Sequence, residues 1–461
     1  MTHIPFLWVR PFAGILVGFF CFQPLSFASD YSKPVSNITL EDKLNFKVGE
    51  AIFQKFWVAS PSSTTASDGL GPLYNARSCH SCHINNGRGH PPNAGISGSS
   101  VPSFFVRFGR TYPADTDFTS RIYPHLGDPK YGHQLQGQSS AGIQPEGDYH
   151  LSYTEKVEVL ADGSQVNLRT PNLHWDQLYY GDLDKRTGIS MLVAPSLVGM
   201  GLLDAVTDDT IAANADPKDA NNDGISGRVS WVRTGTNTPP VVGRFGYKAS
   251  SPTVSAQNQQ AFNIDMGLST PLMPYASGDC TGYQVHCLTS PNGNSAHLDN
   301  LEVDKKQMHL VDLFVSLSAP PAMRNLSSST FLEGKTLFEN TGCASCHTPK
   351  MQTGTNSPFS ELNQRTFYPF TDLLLHDMGP GLASEFPSFS ASPSEWRTAP
   401  LWGIGLSESV SGRVGFLHDG RARTIEEAIL WHGGEAKQSQ MAYKNLKKEH
   451  REKLIYFLES L

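Results

Sequence analysis

Two stretches of the chain repeat one arrangement of apolar positions. Gly49-Glu50-Ala51-Ile52-Phe53 and Gly334-Lys335-Thr336-Leu337-Phe338 each set a glycine four residues before a phenylalanine, with apolar side chains between. Each reads as a short amphipathic helix. Two later stretches also keep helical spacing: His309–Leu317 (HLVDLFVSL) and Lys447–Leu461, the latter with Leu454, Ile455, Leu458 and Leu461 on one face. Each copy therefore opens and closes on a helix. Between the copies, Ala319-Pro320-Pro321 marks a linker. The middle of the chain follows another period. Leu151, Tyr153, Val157 and Val159, then Val166 and Leu168 beyond Asp162-Gly163, alternate in polarity and predict a β-hairpin. Met191–Leu203 is apolar and rich in glycine.

The first apolar run is of a different kind. Arg10 precedes the stretch Phe12–Phe22, and Ser26-Phe27-Ala28 offers small residues on which cleavage can occur. The run is shorter than the roughly 20 apolar residues a membrane span needs. Residues 1–28 are therefore expected to be a signal peptide, with an uncleaved anchor as the alternative. This predicts a periplasmic protein without a transmembrane anchor. The 461 residues allow two or three domains. Only 17% are charged, the net charge is -7, and there is no basic run, which argues against a nucleic-acid partner. With 41 glycines and 31 prolines, much of the chain should be turn and loop.

Of seven cysteines, Cys21 falls in the signal segment and the rest form three local pairs. Cys280 and Cys287 read as a structural disulfide, which an exported chain can keep. The other pairs are Cys79-His80-Ser81-Cys82-His83 and Cys343-Ala344-Ser345-Cys346-His347, and both fit C-x-x-C-H. Two thiols one helical turn apart can form thioethers to the vinyl groups of a haem, and the histidine that follows can ligate its iron. A redox dithiol or a zinc site is the alternative, but two matches in one exported chain favour two covalently bound c-type haems. His83 and His347 are then the proximal ligands. The expected fold is mainly α, with two c-type cytochrome domains at 29–325 and 326–461. The first is enlarged by a long loop-rich insertion that carries the hairpin. Asp219-Ala220-Asn221-Asn222-Asp223-Gly224 adds a candidate calcium loop, with oxygen side chains on Asp219, Asn221 and Asp223; the alternative is an Asp/Asn-rich turn without metal.

These residues resemble the bacterial di-haem oxidoreductase family, described as peroxidases and related to di-haem cytochrome c peroxidases and MauG-type enzymes. The resemblance runs through Gly69–Ala76, Asn86-Gly87-Arg88-Gly89, His125–Pro129, Ala194–Leu197, Asp223–Arg228, Leu375–Gly379, Ala399–Gly403 and Phe416–Thr424. It implies a haem oxidoreductase that takes electrons from a small periplasmic cytochrome or cupredoxin and passes them to peroxide or another small oxidant. It also implies where to look for the second axial ligand of each iron. In the related peroxidases, a run like Glu426–His432 ends in a distal methionine, so His432 is the candidate at the second haem. Met378 and His418 are the runners-up. At the first haem His125 is the first candidate and Met200 the second, with His150 and His174 also considered. The related peroxidases carry a catalytic glutamate after a Phe-Trp-Asp-Gly-Arg-like segment in their first domain. The similar segment here, Leu417–Arg421 with Glu426 and Glu427, is expected beside the second haem instead. Trp175, Trp231 and Trp402 could link the haems electronically or serve as packing. A non-catalytic electron carrier and a haem-dependent oxygenase are the alternative functions.

Overall fold

The computed structural model describes residues 1, 31–236, 238–413 and 415–461. The expected signal peptide, apart from Met1, lies outside the described residues. The helices that build the two motif regions are α1 (Leu40–Gln54), α2 (Val254–Met266), α3 (Lys305–Leu317), α4 (Ser329–Asn340), α5 (Ile425–Leu430) and α6 (Lys448–Ser460). The main strands are β1 (Phe104–Gly109), β2 (Gly147–Val159), β3 (Gln165–Leu178), β4 (Gly188–Val193), β5 (Leu375–Asp377) and β6 (Glu395–Arg397).

The repeated sequence pattern becomes a repeated helix crossing. Thr39 caps α1 by accepting from the Asp42 amide, and Asp304 and Gln307 form a reciprocal capping box on α3. α1 packs on α3, and α4 packs on α6. At the first crossing Phe46 and Phe53 lie 4.9 and 5.2 Å from Phe314, ring centre to ring centre. At the second, Phe331 and Phe338 lie 5.2 and 5.3 Å from Phe457. Gly49 and Gly334 sit at the points of closest approach. A Cβ on Gly49 would strike the Leu310 carbonyl and come within 2.9 Å of the Phe314 Cβ; one on Gly334 would strike the Lys453 carbonyl and come within 2.7 Å of the Phe457 Cβ. Phe314 and Phe457 are each 1% exposed, so truncating either to alanine should cost about 3–5 kcal/mol.

The expectation of a mainly α chain is corrected. The protein is 30% helix and 18% strand, a mixed architecture. β2 and β3 form the hairpin that the alternation predicts, paired antiparallel from Gly147↔Leu178 to Val159↔Gln165. β1 and β4 form a second antiparallel pair, in register Phe105↔Leu192 and Arg107↔Ser190. The period-2 pattern of β1 is weak in sequence because that strand is largely buried, so its apolar residues run almost continuously.

The two largest hydrophobic cores among the described residues also draw on distant parts of the chain. The first joins α1, α2 and α3 to Leu362, Phe367, Leu373, Leu374 and Trp402. The second joins α4, α5 and α6 to Leu160 and Leu168, from the hairpin tip. Ion pairs pin that tip. Arg451 meets Asp162 at 3.0 Å, Lys444 meets Glu158, and Arg423 meets Glu155 at 3.0 Å. The Ala161 amide donates to the Lys444 carbonyl at 3.1 Å. What sequence alone suggests as an insertion is thus a strap between the two motif regions.

Candidate functional site

Both C-x-x-C-H segments fold into one tight turn. Ser78 caps the first by accepting from the Ser81 amide at 3.1 Å. The His83 amide donates to the Cys79 carbonyl at 3.0 Å, and the His347 amide to the Cys343 carbonyl, also at 3.0 Å. Each turn therefore sets two thiols and one imidazole on a single short element. The same second bond then fixes each ring: His83 Nδ1 donates to the Pro195 carbonyl at 2.8 Å, and His347 Nδ1 to the Phe370 carbonyl at 2.9 Å. A carbonyl can only accept, so Nδ1 carries the proton and Nε2 keeps its lone pair. Burial pushes both imidazoles down to about 4, against the pull of those carbonyls, so both are neutral at pH 7. All four motif cysteines are free of disulfides. Burial, helped by the nearby Asp265 carboxylate, pushes the Cys79 thiol up to about 12 and the Cys82 thiol well above its usual range. Burial also raises the Cys343 thiol.

The second region carries a third imidazole of the same kind. His432 follows the end of α5, and its Nδ1 donates to the Ala428 carbonyl at 2.8 Å. It caps the helix with one nitrogen and keeps the lone pair on the other. Burial holds it neutral, and it lies close enough to His347 to depress that ring electrostatically. The turn after it approaches the chain of β5. A Cβ on Gly434, whose φ is +50°, would strike the Asp377 carbonyl and come within 2.7 Å of the Gly379 amide, so the pair Gly433-Gly434 is a steric requirement there.

Glu435, next in line, reaches a group that sequence reasoning missed. His376 Nδ1 bonds Glu435 at 2.8 Å and Nε2 bonds Asp372 at 2.8 Å. Burial opposes a charge on His376, but the two carboxylates outweigh it and hold the ring at about 12, so it is an imidazolium. Cys346, Asp372 and His376 have metal-like spacing among the described residues. Both nitrogens of His376 are already engaged by carboxylates, however, and Cys346 belongs to the motif. The Leu375–Gly379 segment was visible as a family match; its partner Glu435 lies far along the chain, which hid the pairing.

The first region is built differently. One face of β1 presents Phe105 beside Cys82, then Arg107, then Gly109 against Phe386. Arg107 lies 4.0 Å from Asp265, the carboxylate sensed by Cys79 and Cys82. Gln134 also donates to Asp265 at 2.8 Å. His125 sits further along this wall, its ring 4.6 Å from Phe386 and 5.6 Å from His133. It is 9% exposed, yet neither ring nitrogen makes a hydrogen bond within ordinary limits, although the Phe108 carbonyl weakly favours its charged form. A buried imidazole normally satisfies both nitrogens.

The remaining candidates separate clearly. Leu417–Arg421, expected beside the second motif, touches both regions: Leu417 packs against the second core and Arg421 lies over the Trp431 ring at 4.6 Å, while its backbone meets the chain beyond the first motif. Arg88 donates to the Gly415 and Leu417 carbonyls, and the Val193 amide donates to the His418 carbonyl at 2.8 Å. Its Arg421 ion-pairs with Asp419 at 2.7 Å, while His418 stacks on Trp396 at 3.8 Å. Met200 packs against the first core. His150 and His174 stack on each other across the hairpin, 5.0 Å apart, and are partnered by Asp176 and Ser152. Trp175 packs on the hairpin core, Trp231 is 45% exposed, and Trp402 is buried against Gly199 and Phe367. In the Asp219–Asp223 loop, Asp219 accepts from the amides of Asp223 and Gly224, and Asp223 from that of Ile225. Ser226, just beyond, bonds Glu435 through its amide and its hydroxyl, at 3.0 and 2.9 Å. Cys280 and Cys287 form a disulfide.

No curated protein matches the chain. Among solved structures, hydrazine synthase from Kuenenia stuttgartiensis, pressurized with xenon, aligns over 100% of both chains at 12% identity and a TM-score of 0.30, too low a likeness to carry an argument. The family described as "di-haem oxidoreductase, putative peroxidase" matches residues 19–461. That is nearly the whole sequence, and the chain belongs to the di-haem oxidoreductase family.

Proposed function

We propose that the protein is an exported, periplasmic oxidoreductase of peroxidase type with two covalently held c-type haems. The donor sets fit such groups: two thiols free of disulfides and one neutral imidazole per turn, each ring held at Nδ1 so that Nε2 can bind iron. Cys79, Cys82 and His83 would hold the first haem, and Cys343, Cys346 and His347 the second. When bound, haem supplies one-electron redox chemistry and, wherever an axial position is open, a binding place for peroxide.

The single observation that carries this reading is the difference between the far sides of the two regions. His432 offers a third imidazole with its tautomer fixed, near His347. Such a ligand makes the second region an electron-transfer centre. The first region instead gathers His125, Arg107 and Asp265, polar groups suited to a reacting oxidant. Arg107 would polarise the oxygen–oxygen bond. Trp402 lies between Gly199, which follows the carbonyl that orients His83, and Phe367, near the one that orients His347. Its ring would shorten the electron path from the second region to the first. A small cytochrome or cupredoxin would supply the electrons.

Steady-state assays with peroxide and a reduced small cytochrome test this, together with EPR of both irons. The expected result is turnover, with one six-coordinate iron indifferent to peroxide and one that responds. Absence of turnover with both irons six-coordinate in every redox state would leave a plain electron carrier.

A further inference from the structure

The disulfide loop has no part in the reading above, yet it leads directly to the first region. Asp279 immediately precedes Cys280, which is bonded to Cys287. Its carboxylate accepts from His133 Nδ1 at 2.8 Å, from the His133 amide at 2.5 Å and from the Gln134 amide at 3.1 Å. Three bonds to two consecutive residues are a firm anchorage. The loop is tied down at two further points beyond this contact. Thr281 Oγ1 donates to the Lys130 carbonyl at 2.9 Å. Gln284 donates to the buried Glu146 at 2.6 Å, and Glu146 in turn accepts from the Gln136 amide at 2.6 Å. The disulfide loop is therefore fastened to residues 130–136, which carry His133.

His133 has one face toward solvent and one toward the interior. Its side chain is 21% exposed and that of Asp279 10%. Tyr123, 41% exposed, packs on its outer side with ring centres 5.3 Å apart. On its inner side is His125, at 5.6 Å, a separation that one bridging water or a small ring rotation spans. His125 is the buried imidazole without ordinary partners. The charged or titratable groups facing it are His133, Arg107 and Lys248. Burial first, and then these three groups, disfavour a charge on His125, so the ring rests neutral, and any proton it takes from a bound acid is readily passed on.

We propose that Asp279, His133 and His125 form a proton relay from solvent to the first haem region, with His125 as the acid–base residue there and not an iron ligand. The relay rests on the peroxidase-type reading for its physiological use. Reducing one hydrogen peroxide breaks one oxygen–oxygen bond and consumes two electrons and two protons, giving two waters. The external electron donor supplies the electrons. His125 takes the proton from the oxygen that binds and returns it to the oxygen that leaves, and His133 delivers the two protons consumed. Asp279 is a positioning residue: it fixes the His133 tautomer with the proton on Nδ1, so that Nε2 can exchange with the interior. The Cys280–Cys287 disulfide keeps Asp279 in place.

Cyanide binding to the oxidised holoprotein tests the relay without turnover, because hydrogen cyanide must give up its proton as it binds ferric iron. Relative to the unaltered protein at pH 7, His125→Ala is expected to slow association about 100-fold, and Asp279→Asn about 10-fold. Both variants should keep two haems and an unchanged six-coordinate second-region spectrum. His133→Asn should move the pH profile of association, which a packing role would not. The relay is overturned by rates within twofold of the unaltered protein in the His125 and Asp279 variants, or by a His125→Ala spectrum that shows loss of an axial ligand. Cyanide dependence on His125 without any peroxide turnover would sustain the relay and remove the peroxidase reading. A protein whose haems bind no cyanide at all would remove both.

Discussion

The two C-x-x-C-H regions enter in the same way and end differently. Each has a glycine-notched helix crossing, a turn closed by the histidine amide, and a ring pinned through Nδ1 by a carbonyl. Beyond the histidine the likeness stops. The second region presents one fixed imidazole, His432, backed by the charged cluster of His376, Asp372 and Glu435. The first presents His125, Arg107 and Asp265, with hydrogen-bonding capacity left over. The attachment machinery is thus common to both, and the chemistry is decided by what faces it. A repeat in sequence predicts the shared half and is silent about the other.

The sharpest way to break the comparison is to remove one attachment site at a time. Cys79→Ser with Cys82→Ser, and Cys343→Ser with Cys346→Ser, are each expected to halve the covalent haem per chain, measured by pyridine haemochrome. A single pair that removes both haems would mean that the sites are not independent. Next comes His432, the proposed ligand of the second iron. His432→Met should keep the second iron six-coordinate and raise its reduction potential by on the order of 100 mV, while the first iron is unmoved; spectroelectrochemistry reads both. The shared crossing should give matched losses. Gly49→Ala and Gly334→Ala each press a Cβ into backbone that cannot yield. Overpacking at about 2–3 kcal/mol then outweighs a helix-propensity gain of about 1 kcal/mol. Calorimetric melts should show similar destabilisation in both variants.

A smaller effect follows from pH. Burial holds His418 down at about 4. In the unfolded chain this ring takes up a proton near pH 6.5. Unfolding therefore binds a proton between pH 6.5 and 4, and the contribution of His418 is complete above 6.5 and lost as pH falls toward 4. Melting temperature should decline steadily over that interval, and a flat profile would contradict the assigned burial. Smallest is the tie at the hairpin. Glu155→Ala removes the contact with Arg423, and as an exposed, largely screened pair it should cost at most about 1 kcal/mol in chemical denaturation.

Much of this was legible in sequence, and the exceptions have physical causes. The C-x-x-C-H turns, the paired helices and the hairpin are local patterns, in which neighbours in sequence are neighbours in space. The mixed character of the fold was not legible, since buried strands such as β1 read as plain apolar runs. Nor were the contacts of Leu417–Arg421 with the first region, because Arg88, which receives it, lies early in the chain. The pairs His133–Asp279 and His376–Glu435 join residues far apart in number. A single sequence gives no signal for such partners.

The hairpin tip has a consequence for how the protein is made. Leu160 and Leu168 belong to the core around α4 and α6, although they leave the ribosome long before those helices do. The C-terminal portion therefore cannot close its interior on its own. Its haem would be enclosed only when an earlier-synthesised segment is already there to receive it. The strap imposes an order on maturation, the early half serving the later one as a template.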